Sequence, residues 1–329
     1  MRAQILKEIG LPLVLEEVSK PSPTSDQVLI RVHACGLCRT DLHIVDGELP
    51  PPKLPLILGH QIVGEIEKIG SDATGYNIGD KVGVPWLGQT CGKCPYCLAG
   101  RENLCDNAIF TGFSRNGGFA EYCVAHFRYI FPLSFPVADL NIAPLLCAGM
   151  IGYRALKMAG RAKKIGFYGF GSSAHLLLQV ARAQGKEIYA FTRPNDTEGQ
   201  RSALKLGAKW AGDSEMMPPE PLDAAIIFAS VGALIPGALK ALCKGGILIT
   251  AGIHMSDIPS FSYNLLWGER VIRSVAHLTR EDGEEFLTLA RNTKVHAEAT
   301  SYRLEEVNMA LDDLRQGRLS GSAVISILT

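Results

Sequence analysis

Long apolar runs are missing from this 329-residue chain, and so is any imbalance of charge. A membrane-spanning helix needs about 20 consecutive apolar residues, and no stretch approaches that. Lys plus Arg equals Asp plus Glu at 33 each, so there is no basic surplus for nucleic acid or anionic lipid. No nucleic-acid or membrane partner is therefore expected. Met1 to Gly10 has no apolar core of signal-peptide type, which points to the cytoplasm. Internal repeats and low-complexity segments are lacking too. What the chain does have is hydrophobic residues, 47% against 20% charged. That supplies a large core and, at this length, two domains.

Nine cysteines would suit a secreted disulfide protein, but their spacing argues against it. Cys35-Gly36-Leu37-Cys38 alone is ambiguous between a redox pair, half of a zinc knuckle and two buried thiols. His60 follows Cys38 by 22 residues, and Cys147 follows His60 by 87. A Cys, a His and a second Cys make a three-ligand set that leaves one corner of a zinc tetrahedron open, as catalytic zinc requires. For His60, a satisfied core histidine is the bland alternative. Cys91, Cys94, Cys97 and Cys105 form a second cluster, C-x2-C-x2-C-x7-C. Four thiolates so placed can close a tetrahedral zinc site, with an iron–sulfur cluster as the other reading. A closed site has no room for substrate, so this one is expected to serve stability.

Taken in order, the first 82 residues read largely as short strands and turns, with Gln27 to Ala34 delivering Cys38 just past its end. A short helix is expected from Thr40 to Val45. From Lys164 the rhythm changes to βα repeats. Lys164 to Tyr168 is a short apolar strand, Gly169-Phe170-Gly171-Ser172-Ser173-Ala174 follows, then a helix over 175–184 and a strand over 187–192. G-x-G-x-x-A between strand and helix lets backbone approach a pyrophosphate at the helix N-terminus. Further strands are expected at 222–228, 247–252 and 271–276, which implies a doubly wound parallel sheet. Helix 280–291 should carry the chain back, and 323–327 should close the first domain. The expected division is 1–152 for a catalytic domain with the four-cysteine lobe at about 90–106, 153–281 for a Rossmann domain, and 282–329 for the return.

Cys-Gly-Leu-Cys-Arg-Thr-Asp at 35–41, Gly59-His60, Gly117-Gly118-Phe119-Ala120-Glu121-Tyr122, the Cys147 loop and the glycine motif occur in one order. Together they resemble the zinc-dependent medium-chain alcohol dehydrogenases over essentially the whole chain. The resemblance implies an α/β fold: a mostly β, partly open GroES-like barrel and a doubly wound coenzyme domain. It implies reversible hydride transfer between a primary alcohol or aldehyde and NAD(P), with two Zn2+ per chain. By that resemblance the lobe holds structural zinc and Cys38, His60 and Cys147 hold the catalytic zinc. Asp41 matches the residue that orients the ligating histidine, the alternative being a helix cap. Thr40 and His43 resemble the proton relay, passing the alcohol proton through the cofactor ribose to an imidazole near the surface. Arg39 matches a pyrophosphate contact. Trp86, Leu87, Phe110 and Trp267 are candidate pocket residues. Homodimers or homotetramers associated through the coenzyme domain are implied, with the apolar tract Ile247 to Ile253 and the Pro259-Ser260-Phe261 loop as a candidate interface, core being the alternative.

Gln61 departs from the family's usual Glu behind the zinc. A neutral amide removes one negative charge, and a more electrophilic metal is the expectation. At the end of the second Rossmann strand, Thr192 and Arg193 stand where NAD enzymes carry an acid. An arginine there can pair with a 2′-phosphate, which favours NADP, the alternative being a solvated loop residue with NAD bound. Within the family a polyol or cinnamyl-type dehydrogenase is the rival reading. From another class, a catalytically inactive, zinc-stabilised nucleotide-binding protein is the competitor.

Overall fold

The structure is a computed structural model and describes residues 1–135, 139–319 and 321–327. The chain divides into two compact units. One comprises Met1–Ala148, Leu278–Glu285 and His296–Thr329; the other comprises Gly149–His277 and Phe286–Val295.

The first unit is built on the strand Gln27–Leu37, whose eleven residues are almost all buried. Three strands pair with it, all antiparallel: Gln61–Ile69, Tyr122–His126 and Ser322–Ser326. A strand with neighbours along both edges reads as a near-continuous apolar run, and Val-Leu-Ile-Arg-Val-His-Ala-Cys does. Its register with Gln61–Ile69 shifts twice, between Leu29 and Ile30 and between Val32 and Ala34. Such irregularities bend the strand and help the sheet to curl. Seven strands form this sheet among the described residues, and a second sheet of three joins Arg2–Leu6 to Val14–Glu17 and Leu56–Ile57. The core between them is largely aliphatic, with Phe119, Trp86 and Tyr302 as buried aromatic members.

The loop before His60 is held by backbone. Gly117 donates to Ile57 O (2.7 Å), Gly118 to Gly59 O (2.9 Å) and Phe119 to Leu58 O (3.0 Å). A Cβ at Gly117 would lie 2.0 Å from Gly59 O, so close backbone contact requires glycine there.

The second unit holds six parallel strands, Lys164–Tyr168, Glu187–Thr192, Trp210–Asp213, Leu222–Ile227, Leu242–Thr250 and Val271–Ser274. In space they run third, second, first, fourth, fifth, sixth. The order reverses beside Lys164–Tyr168, and a crevice at the carboxyl ends of strands is the usual ligand position in such sheets. Trp210–Asp213 is a strand that the sequence pattern did not suggest. Ile247–Thr250 lies in an interior strand, with Leu248 and Ile249 fully buried. That part of the 247–253 tract is core, whereas Ile253 beyond it is 47% exposed. The outer strand on that side is Val271–Ser274, and nearby residues Tyr263, Trp267 and Val271 are exposed.

Candidate active site and metal centres

The strand Gln27–Leu37 ends one residue before Cys38, which caps the helix Arg39–Val45. Thr40 N donates to Cys38 Sγ (3.4 Å), and the Asp41 carboxylate accepts from Cys38 N (2.9 Å). The cap therefore holds the sulfur with its side chain turned back on the first helical turn. His60 arrives from the clamped 57–60 segment. Cys147 follows the short turn Ala143–Leu146, which ends against Cys147 N. The three donor atoms lie within 4.8 Å of one another, with Cys38 Sγ 3.3 Å from His60 Nε2.

Asp41 and His60 are both fully buried. The Asp41 carboxylate accepts from Gly59 N at 3.2 Å, and the same oxygen lies 3.5 Å from His60 Nδ1. That last distance is an electrostatic contact rather than a hydrogen bond, and Nδ1 has no hydrogen-bond partner otherwise. The charge balance in the cluster is strained. Cys147 and then His60 hold the Cys38 thiol well below its ordinary range, against burial. Cys38 and burial push Cys147 well above it. Burial opposes a charged His60, but Cys38 and Asp41 outweigh it and push the imidazole up to about 10. Two thiols, an imidazole and a carboxylate, of which only Cys38 is partly exposed, thus share protons. A divalent cation that displaces those protons resolves the arrangement. Soft sulfur donors with one imidazole fit zinc.

Cys91, Cys94, Cys97 and Cys105 also bring their sulfurs within 4.8 Å of each other. Backbone amides aim at them: Cys94 N at Cys91 Sγ (3.4 Å), Cys97 N at Cys94 Sγ (3.5 Å) and Cys91 N at Cys105 Sγ (3.5 Å). The amides of Lys93 and Cys94 pull the Cys91 thiol down to about 6, whereas burial pushes Cys105 up to about 11. None of the nine cysteines is in a disulfide. This tetrad fits a closed thiolate metal site.

Thr40 is half-buried and Arg39 exposed. His43 differs from expectation. It is not near the surface but 5% exposed, with its Nδ1 against the Glu48 carboxylate. Sequence reasoning missed Glu48; an acid five residues after a histidine, across a Gly turn, is a weak signal. Trp86 meets His60 edge-on at 4.9 Å and stacks on Phe110 at 5.3 Å, and Phe113 lies 5.6 Å from Trp86. Leu87 is buried beside them on the strand that pairs with Phe110. Phe113 joins this apolar wall without having been anticipated. Trp267 belongs to the second unit, is 65% exposed and lies 6.4 Å from Tyr263. Gln61 is buried, its side chain laid over Gly36, where a Cβ would meet Oε1 at 2.6 Å.

In the second unit Gly169 has φ +89°, and a Cβ there would lie 2.9 Å from Ala229 N. Gly171 caps the helix Ser172–Ala183, so Ser172 and Ser173 stand in its first turn and Ala174 is fully buried. Thr192 is buried and accepts from Gln200 Nε2 (3.1 Å), and Arg193 just beyond it is exposed. Asp213, beside Thr192 on the neighbouring strand, is held by Asn195 N (3.2 Å) and Gln200 Nε2 (2.8 Å). The carboxylate nearest in register is therefore already engaged.

Comparison with known proteins agrees with this architecture. A family model described as the alcohol dehydrogenase GroES-like domain matches residues 24–135. The chain is 44% identical over 324 residues to a probable alcohol dehydrogenase, AdhA, of Mycobacterium tuberculosis, covering 96% of this chain and 93% of that one. The solved alcohol dehydrogenase of the archaeon Aeropyrum pernix superposes with a TM-score of 0.90 at 28% identity, covering 99% and 100%. A structure described as CAD from Helicobacter pylori complexed with NADP(H) gives 0.88 at 25% identity, covering 99% of both. A two-unit α/β protein with a GroES-like part and a Rossmann-like part is thereby defined. The chain belongs to the zinc-dependent medium-chain alcohol dehydrogenases. It is an oxidoreductase that acts on alcohols as small-molecule substrates and works with zinc and a nicotinamide cofactor. No helix among the described residues is long and apolar enough to cross a membrane.

Proposed function

We propose that Cys38, His60 and Cys147 hold the zinc at which a primary alcohol is oxidised or its aldehyde reduced. Cys91, Cys94, Cys97 and Cys105 hold a second, structural zinc, which makes two per chain. One observation carries the reading: two thiols and one imidazole converge within 4.8 Å and, among the described residues, form a three-donor set. Zinc bound there withdraws charge from the substrate oxygen and eases departure of hydride from the alcohol carbon. Asp41 keeps the His60 ring oriented, so that Nε2 faces the sulfurs. Thr40 accepts the alcohol proton through its hydroxyl. His43, three residues on along the same helix face, accepts a proton on its ring. Trp86, Phe110 and Phe113 keep water from the reacting carbon and favour an apolar substituent on the alcohol. A cinnamyl-type substrate fits such an aromatic wall better than a polyol does.

The unit of Gly149–His277 and Phe286–Val295 binds the dinucleotide, with Gly169, Gly171, Ser172, Ser173 and Ala174 at the pyrophosphate. Arg39 is a further phosphate contact. Thr192 and Arg193 favour NADP, because an exposed guanidinium with no free acid beside it suits a 2′-phosphate. We further propose self-association as dimers or tetramers through this unit, at the Val271–Ser274 edge rather than at the buried Ile247–Thr250 tract. Nine cysteines outside any disulfide favour a reducing compartment, the cytoplasm.

The test is initial rates of aldehyde reduction across aliphatic and aromatic aldehydes, with NADPH beside NADH, before and after chelation. Turnover lost with the metal, restored by zinc and faster with NADPH is the expected outcome. Turnover indifferent to chelation would overturn the metal reading, and a preference for NADH would overturn the reading of Arg193.

A further inference from the structure

Two buried hydroxyls meet beside the four-cysteine lobe. Thr90 stands between the strand Leu87–Gln89 and Cys91, the first cysteine of the tetrad. Tyr129 ends the short turn Phe127–Tyr129, which follows the strand Tyr122–His126 of the seven-stranded sheet. The two residues are 9% and 6% exposed. Their oxygens lie 2.6 Å apart, and Thr90 Oγ1 lies 3.3 Å from Cys97 Sγ. A chain of polar contacts thus links the sheet to one sulfur of the lobe.

The direction of that chain follows from the chemistry of sulfur. A thiolate has no proton to give, so beside a metal-bound Cys97 the Thr90 hydroxyl donates to Sγ. Its oxygen is then left as an acceptor, and the Tyr129 O–H donates to it. The tyrosine ring is held on two sides. The Arg280 guanidinium lies over it at 5.2 Å, and His126 meets it edge-on at 5.4 Å. Arg280 is held in turn by the buried Glu102 carboxylate, which accepts from its backbone N (3.0 Å) and its Nε (3.3 Å). Glu102 belongs to the lobe, between Cys97 and Cys105.

We propose that Thr90 and Tyr129 are positioning residues of the tetrad's metal, acting through Cys97. The inference rests on the reading of the tetrad as a zinc site given above. Four thiolates outweigh the charge of one divalent cation, so each sulfur gains from a donor directed at it. Backbone amides serve Cys91, Cys94 and Cys105 in this way, and the Thr90 hydroxyl serves Cys97. A hydrogen bond to anionic sulfur is stronger than one to a neutral thiol. The pair therefore favours the metal-bound lobe over the empty, protonated one. It also ties Cys97, on a four-residue helix with no buried residue, to the buried side of the sheet.

The experiment compares full-length wild type, Thr90→Val, Thr90→Ser and Tyr129→Phe, each loaded with zinc and titrated with a chelator. Occupancy of the tetrad is read from peptide-resolved alkylation of Cys91, Cys94, Cys97 and Cys105, with Cys38 and Cys147 as the internal control. Thr90→Val should lose zinc from the tetrad at about tenfold less chelator, the lower end of the range for groups that support metal ligands. Tyr129→Phe should move the same way by less, and Thr90→Ser should stay near wild type. In cobalt(II)-loaded protein the sulfur-to-metal charge-transfer band of Thr90→Val should move to longer wavelength, because sulfur without its donor releases charge more readily. Should Thr90→Val keep wild-type zinc retention and an unmoved band, the proposal fails and the structural zinc stands. A looser tetrad that Thr90→Ser does not restore, with the band unmoved, would show packing to be the cause and reject the proposal. A wild-type tetrad that holds no zinc would remove the zinc reading and this inference with it. If Thr90→Val does not fold, Tyr129→Phe decides: unchanged retention and an unmoved band reject the proposal.

Discussion

Asp41 carries three tasks with one carboxylate. It accepts from Cys38 N, accepts from Gly59 N and faces His60. Burial raises its pKa, while His60 opposes that rise. Asn in its place keeps one acceptor but removes the charge facing the imidazole. We expect Asp41→Asn to weaken zinc at Cys38, His60 and Cys147 about 10–100-fold, the range for partners of metal-ligating histidines. Competition with a chromophoric chelator measures this. Unchanged affinity would mean that Asp41 is a helix cap and nothing more. The ligand residue types and their order were legible in the sequence, because metal donors are few in kind. The burial of His43 and its pairing with Glu48 were not. Both depend on a turn that folds back through backbone hydrogen bonds, which leave little trace in side-chain pattern.

Elements differ in how much they owe to a metal. In the four-cysteine lobe the helix Pro95–Leu98 has four residues, none of them buried, so no apolar face holds it. Amides directed at sulfur and the tetrad itself do that work. On chelation we expect trypsin to cut after Lys93 and Arg101 before it cuts anywhere in the two sheets. Early cleavage elsewhere would show the lobe to be stable alone. By contrast, the His60 segment is held by backbone pairing with 117–119. A methyl at Gly117 must displace Gly59 O, so Gly117→Ala is expected to cost about 3 kcal/mol, the upper part of the overpacking range. It should also lower zinc occupancy at His60, read from denaturant midpoints and metal content together. The Gly-Gly pair was visible in the sequence as a motif. Its reason, the approach of one backbone to another, was not.

For the whole molecule the acid response is set in part by Asp139, which lies 2.8 Å from His33 Nδ1 and is also paired with Lys81. Burial raises its pKa, but His33 and Lys81 outweigh that and leave it below the ordinary value. A carboxyl depressed on folding stabilises above its unfolded pKa of about 3.9, and the contribution disappears as pH falls through the folded value. Asp139→Asn should therefore lower the melting temperature by about 2–4 °C at pH 7, for roughly 1 kcal/mol. The difference should close in acid, below the folded pKa. A difference that persists there would show packing, not charge, to be the cause. Assembly is the other property at this scale. Val271–Ser274 forms an outer strand with exposed Val271, Trp267 and Tyr263 near it. Sedimentation should give at least twice the chain mass for the wild type and a single chain for Val271→Lys, because a charge blocks pairing at an edge. A wild-type monomer would remove the assembly proposal.

The chain by itself determined the class of both units, which sulfur and imidazole side chains come together and the place of the glycine turn between strand and helix. These depend on short-range chemistry: alternation of apolar residues, ligand types, and glycine where backbone must come close. Tertiary structure alone decided that Ile247–Thr250 is core and Val271–Ser274 the edge, since strand order is not written in any one strand. It also decided that the segment 286–295 joins the second unit and that Glu48 meets His43. Each of those outcomes follows from contacts made across the fold, whose partners no local spacing names.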